Sequence, residues 1–169
     1  MTTAKHQAQR VAVLIDVQNL YHSAKNLYQA RVNFRAVVKA AVEDRNLIRA
    51  FAYVIKTKTG EEKPFFEALA NLGIETRIKD LQEFYGGLKK GDWDVGITVD
   101  AVRIAPSVDT IVLASGDGDF VQLVEYLKNQ GKRVEAIAFG RSSSARLKEV
   151  VDEFIDLEKN LKKNLIKSY

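Results

Sequence analysis

Apolar positions along the chain alternate between continuous runs and helical spacing. Val11-Ala-Val-Leu-Ile15 is an unbroken apolar run ending at Asp16, and Thr110-Ile-Val-Leu-Ala114 is a second that stops at Ser115-Gly116. Runs of this kind fit parallel strands buried on both faces. Leu47–Ile55, Ile74–Leu81 and Arg133–Phe139 read as three further strands, and Phe154–Leu157 as a small sixth. The interleaved Glu75, Arg77 and Lys79 place the third strand at a sheet edge. Between the strands the period changes. Leu20, Ala24 and Leu27 recur as on a helix face, and Val37, Val38, Ala41 and Val42 follow an Asn33 N-cap. Pro64 opens a helix carrying Phe65, Phe66, Leu69 and Leu72, which Gly73 closes. Another helix runs from Trp93 or Asp94 to Ala105, stopped by Pro106. A helix from Phe120 ends at Gln130 with Gly131 as its left-handed cap, and Arg141–Ser144 caps a short helix toward Val151. Lys56–Gly60 and the Gly-rich Gln82–Asp92 read as loops.

Strands alternating with helices predict an α/β fold with a mostly parallel sheet, in the order 3-2-1-4-5. Residues 1–10 are expected to be a mobile tail, 11–157 one domain, and 158–169 a Lys-rich helix or tail with Leu157, Leu161 and Leu165 four apart. At 169 residues, 46% hydrophobic and 28% charged, the chain is expected to be a soluble domain. It has no cysteine, which excludes disulfides and thiolate metal sites and suits a reducing cytoplasm. No apolar run reaches the roughly 18 residues of a membrane span. The net charge of +4 permits a polyanionic partner without requiring one.

In the order 3-2-1-4-5 the first and fourth strands are neighbours about 4.8 Å apart. Crossovers leave the first strand in opposite directions there, and ligands of open α/β sheets bind at that switch point. Asp16 and Asp117 then face each other across a crevice. Paired carboxylates raise each other's proton affinity unless a cation sits between them, and hard oxygen donors suit Mg²⁺ or Mn²⁺. The competing reading makes Asp117 a helix cap and Asp119 a partner of the helix dipole. Asp94, at a helix start, is a third acidic source. Asp100 lies six residues on, about 600° around the helix, so the two cannot both ligate one ion directly. Other chemistries fail by inspection. Asp117-Gly-Asp119 lacks a calcium loop's further ligands, since Val121 and Lys128 stand there, and there is no phosphate-binding Gly-rich loop after the first strand. His6 and His22 are the only histidines. Lys56, Lys58, Lys89, Lys90 and Arg141 fall in loops on the expected active face, where they track a phosphate backbone or merely solvate the surface. Tyr85 and Trp93 flank Lys89-Lys90 and either stack unpaired bases or pack.

Together, Val-Leu-Ile-Asp16-Val-Gln-Asn19-Leu, Lys90-Gly-Asp-Trp-Asp94-Val with Val99-Asp100, and Ser115-Gly-Asp117-Gly-Asp119-Phe resemble the NYN domain of the PIN-like nuclease superfamily, and within it the LabA-like group. The resemblance runs from Val11 to Leu157. It implies a three-layer α/β/α sandwich, an Asp cluster binding Mg²⁺ or Mn²⁺, and hydrolysis of RNA phosphodiester bonds. Carried over, Asp16, Asp94 and Asp117 form the acidic cluster, with Asp119 and Asp100 as further acids and Asn19 as the polar partner after the first strand. Beside these, Ser115, Lys89, Lys90, Arg141 and Ser142 are expected to contact the substrate, with single-stranded RNA as the expected partner and a homodimer also expected. Val17 stands where many relatives carry Gly. The alternative is a non-catalytic RNA-binding or regulatory module with the same fold.

Overall fold

In the computed structural model, which describes residues 3–56, 63–83, 89–90 and 92–167, thirteen principal elements follow one another. They are β1 (Arg10–Asp16), α1 (Val17–Tyr28), α2 (Phe34–Val42), β2 (Asn46–Lys56), α3 (Lys63–Asn71), β3 (Glu75–Asp80), α4 (Asp94–Ile104), β4 (Thr110–Ala114), α5 (Val121–Asn129), β5 (Arg133–Ala138), α6 (Ala145–Val150), β6 (Glu153–Asp156) and α7 (Leu161–Asn164). Six strands form one parallel sheet in the order β3-β2-β1-β4-β5-β6. The expected order is therefore found, with the small sixth strand added beside the fifth.

Successive strand residues point to opposite faces, and β1 divides accordingly. Val11, Val13 and Ile15 join the core under α1, α2 and α3. Ala12 and Leu14 join the core under α4, α5 and α6. On β4, Val112 and Ala114 go one way and Ile111 and Leu113 the other. Both strands are covered on both faces, which is why they read as continuous apolar runs. The result is a three-layer α/β/α sandwich whose switch point lies between β1 and β4.

The local signals work as expected. Asn33 Oδ1 accepts from the Ala36 amide at 3.2 Å, and Ser144 Oγ from the Leu147 amide at 3.2 Å. Gly73 and Gly131 carry φ of 78° and 83°, the left-handed region that glycine enters without strain. Among the described residues β3 pairs only with β2 and forms an edge of the sheet.

Residues 3–5 and the segment after β6 make defined contacts with the domain. Lys5 Nζ lies 2.6 Å from Glu43 and 3.0 Å from Glu153, and the Thr3 carbonyl accepts from Arg133 Nη1 at 2.8 Å. After β6, Leu157–Asn160 forms a 3-10 turn, α7 adds one helical turn, and Leu165–Lys167 pairs antiparallel with Ala30–Val32. The Gln82–Asp92 loop begins and ends in a ribbon, with Gln82–Glu83 paired to Lys89–Lys90. Lys58 and Tyr85, and the side chains of Lys89 and Lys90, lie outside the described residues. Among the described residues no helix is long and apolar enough to cross a membrane.

Candidate metal centre

The parallel register ends β1 and β4 side by side, Ile15 opposite Ala114. That brings Asp16, the last residue of β1, next to Ser115, the first beyond β4. Ser115 Oγ donates to Asp16 Oδ2 at 3.1 Å and accepts from the Asp117 amide at 3.2 Å. Asp16 Oδ1 accepts from the Asn19 amide at 3.3 Å and so caps α1. Asn19 Oδ1 in turn accepts from the Gly116 amide at 2.9 Å. The two strand ends are thus stitched into one rim by Asp16, Asn19 and Ser115.

Asp117 Oδ1 accepts from the Asp119 amide at 2.8 Å, capping the 3-10 turn Gly118–Phe120. The cap reading and the cation reading are compatible, because an ionised carboxylate offers roughly four lone-pair sites and each cap uses one. Gly116 lets this turn lie against the following loop, where the Ser144 amide donates to the Gly116 carbonyl at 2.8 Å. A Cβ on Gly116 would stand 2.3 Å from Ser143 Oγ and 2.9 Å from Ser143 Cα. Gly116→Ala is therefore expected to destabilise the chain by about 1–3 kcal/mol through overpacking, measurable by thermal melting. A melt identical to wild type would show that the 143–144 loop simply moves aside.

Asp94 is the first residue of α4, the helix that reaches the crevice from the β3 side. Asp16, Asp94 and Asp117 each bring a carboxylate oxygen within 4.8 Å of the others. Among the described residues no Lys or Arg nitrogen lies within 4.0 Å of these three. The electrostatics follow. Burial, then the charges of Asp117, Asp16, Asp92 and Asp119, push the Asp94 carboxyl up to about 7. Burial also raises Asp16, against the pull of its hydrogen bonds from Asn19 and Ser115 and with the help of Asp117 and Asp92. A divalent cation satisfies such a cluster. Three carboxylates gathered within 4.8 Å of one another are the hard oxygen donors that Mg²⁺ or Mn²⁺ takes. The residues fit the ion that the sequence implies.

The remaining expected residues are distributed around this triad. Asp119 stands on the adjoining turn and adds charge without joining the cluster. Asp100 faces elsewhere, as its helical offset requires. It accepts from Tyr53 Oη at 2.8 Å and Arg77 Nε at 3.0 Å, and fastens α4 to β2 and β3. Arg141 Nε pairs with Glu158 at 2.8 Å and Nη2 donates to Tyr28 Oη at 3.0 Å. Ser142 Oγ bonds Ser23 Oγ at 2.8 Å. Trp93 is a packing residue. Its Nε1 donates to the Val54 carbonyl at 2.9 Å, its ring packs on Tyr53, and Lys79 Nζ lies 4.5 Å from the ring centroid. Val17 is buried in the core under α1. Lys56, at the carboxyl end of β2, is exposed.

One contributor was missed in the sequence. Asp92 adds its charge to Asp94 and Asp16, and its Oδ1 accepts from the Asp94 amide at 3.3 Å. The signal was the Asp-Trp-Asp spacing, which was read only as the end of a loop.

Among known proteins, the chain is 26% identical to the low amplitude and bright protein LabA of Synechococcus elongatus over 88% of this chain and 83% of that protein. It is 25% identical to an uncharacterised protein of Methanocaldococcus jannaschii, covering 88% of this chain but about half (55%) of that protein's length. A crystal structure of a protein of unknown function from Vibrio parahaemolyticus is similar with a TM-score of 0.86 and 32% identity, over 97% of this chain and 100% of that one. The model of the NYN domain matches residues 10–158, from the first residue of β1 to just beyond β6, and with the whole acidic crevice inside that match the chain belongs to the NYN-domain family.

Proposed function

We propose that this protein is a divalent-metal-dependent ribonuclease that hydrolyses phosphodiester bonds of single-stranded RNA. The observation carrying the reading is the convergence of Asp16, Asp94 and Asp117 at the sheet's switch point, each with a carboxylate oxygen within 4.8 Å of the others. Asp16, Asp94 and Asp117 would hold Mg²⁺ or Mn²⁺. When bound, such an ion polarises a scissile phosphate and supplies a water of lowered pKa. The chain's own residues do the positioning. Ser115 and Asn19 fix the two strand ends, so the Asp16 and Asp117 carboxylates do not have to reorganise when charge develops. Asp94 completes the set from α4, whose position is held by the Asp100 contacts to Tyr53 and Arg77. Exposed Lys56 at the end of β2 is available to a substrate phosphate.

Purified protein is expected to cleave single-stranded RNA with Mn²⁺ or Mg²⁺ and to lose that activity in chelator. A second readout needs no turnover. An ion binding only the folded chain adds about 2.7 kcal/mol at a hundredfold excess over its Kd, which for a domain of this size raises Tm by roughly 5–10 °C. No shift and no cleavage with either metal would sink the reading. Metal-independent RNA binding without turnover would put a non-catalytic RNA-binding module in its place.

A further inference from the structure

The chain's positive charge is segregated. Residues 29–42 and 159–167 hold seven of the 26 Lys and Arg and none of the 22 Asp and Glu. Outside these two segments the balance reverses, with 19 cations against 22 carboxylates. More than a hundred residues separate them in sequence, yet the fold joins them. Leu165–Lys167 pairs antiparallel with Ala30–Val32, setting Ile166 opposite Arg31. The Asn33 amide donates to the Asn164 carbonyl at 2.8 Å, Asn33 Nδ2 to the Lys163 carbonyl at 3.1 Å, and α7 packs against α2.

Arg31, Arg35, Lys39, Lys159, Lys162 and Lys163 are all exposed. Among the described residues no carboxylate lies within 4.0 Å of any of them. Arg31, Arg35 and Lys39 follow at four-residue spacing, the latter two along one face of α2. A merely solvated surface intersperses both signs, whereas a large field of one sign collects a partner of the opposite sign. The surface also stands in a defined relation to the crevice. Helix α1 starts beside Asp16 and ends at Tyr28, two residues before the ribbon. Its twelve residues span about 18 Å.

We propose that this cationic surface, built by α2, the Ala30–Val32 and Leu165–Lys167 ribbon and α7, docks the phosphate backbone of the RNA whose cleaved segment lies in the acidic crevice one helix length away. The identity of the polyanion rests on the nuclease reading. The division of labour follows from the charges. A triad of carboxylates repels a polyanion until a cation is present, so the affinity for RNA must come from elsewhere on the molecule. Backbone contacts of this kind are read by charge and carry no sequence information.

The test uses the full chain and a fluorescein-labelled oligouridine of about 20 nucleotides, with anisotropy followed in EDTA between about 50 and 200 mM salt. In Arg35→Gln/Lys159→Gln/Lys162→Gln/Lys163→Gln the slope of log K against log salt should become shallower by about two to three, at roughly 0.7 per lost contact on a single strand. Affinity at about 100 mM salt should fall at least tenfold with Tm unchanged, and an Arg/Lys-swapped variant at the same four positions should bind like wild type. With Mn²⁺ present, the loss should appear in KM rather than kcat. If wild type cleaves RNA but the quadruple variant keeps its slope and KM, this surface is not the docking site and the nuclease reading stands. If the variant loses binding but wild type never cleaves, the surface stands and the nuclease reading falls. Wild-type binding to anionic phosphatidylserine vesicles through these residues, with RNA binding unaffected by their loss, would overturn the proposal in favour of a membrane surface.

Discussion

Asp117→Asn is expected to remove nearly all cleavage of single-stranded RNA while leaving the fold in place. The substitution keeps the size of the side chain and the oxygen that accepts from the Asp119 amide at 2.8 Å, so the turn after β4 retains its cap. On the proposed reading, what is lost is one of the carboxylate donors to the divalent cation. Metal-based stabilisation of a reacting phosphate supplies several kcal/mol, and each 1.36 kcal/mol is tenfold in rate. A fall of about a thousandfold or more is the expected size. Stability should hold or rise, because one of the charges that push the Asp94 carboxyl up to about 7 is gone. Single-turnover cleavage and a thermal melt on the same preparation separate the two effects. Undiminished cleavage in the variant would mean that the activity comes from another site or a contaminant.

Much of this site is legible before any coordinates, for a definite reason. Strands β1 and β4 are buried on both faces, so their sequences are unbroken apolar runs, and a carboxylate at or just beyond the end of such a run stands at the carboxyl ends of the strands. Asp16 and Asp117 therefore announce themselves. Asp94 is legible as the first residue of a periodic helix, and the failure of Asp100 to join it follows from the helical turn alone. Asp92 was hidden because a carboxylate in a Gly-rich, Lys-rich stretch looks like solvated loop. Its influence is electrostatic and reaches through space.

Contacts between distant segments were the least legible part. The three residues Ala30–Val32 make a strand only because Leu165–Lys167 comes back to pair with them. Neither segment is long enough to show a period of its own. The same limit hid the cationic surface. Read along the chain, Arg31, Arg35 and Lys162 are ordinary scattered charges, and only the ribbon assembles them. On β5 all six residues are buried, Arg133 and Glu135 included. The partner that permits this, Arg45, is 90 residues earlier in the chain.

That partner makes the loss of Glu135 costly to stability. Its carboxylate is fully buried and receives two parallel hydrogen bonds from Arg45 at 2.9 Å each, and a third from Arg133 Nε at 2.7 Å. Burial alone would raise its proton affinity. The hydrogen bonds from Arg45 and Arg133, with the charges of Arg45 and Lys5, more than reverse this and hold Glu135 below its ordinary value. Glu135→Gln leaves the buried guanidinium of Arg45 without its counter-charge, while Arg133 keeps Glu153 at 3.0 Å. Breaking a buried pair from one side costs about 3–5 kcal/mol, which for a domain of this size lowers Tm by roughly 6–20 °C. The pH dependence has a fixed sign. Because the folded chain holds this proton less tightly than the unfolded chain, the unfolded state binds more protons and stability rises with pH through that window. The contribution is complete above the unfolded value of about 4.3 and is lost as pH falls through the lower folded value. Wild-type melts should therefore steepen in their loss of stability below about pH 4.3, and the Glu135→Gln melts should be flatter over the same range. A variant within about 0.5 kcal/mol of wild type at pH 7 would show that Arg45 and Arg133 find other acceptors, and that the ion pair fixes the register of β5 without holding the fold together.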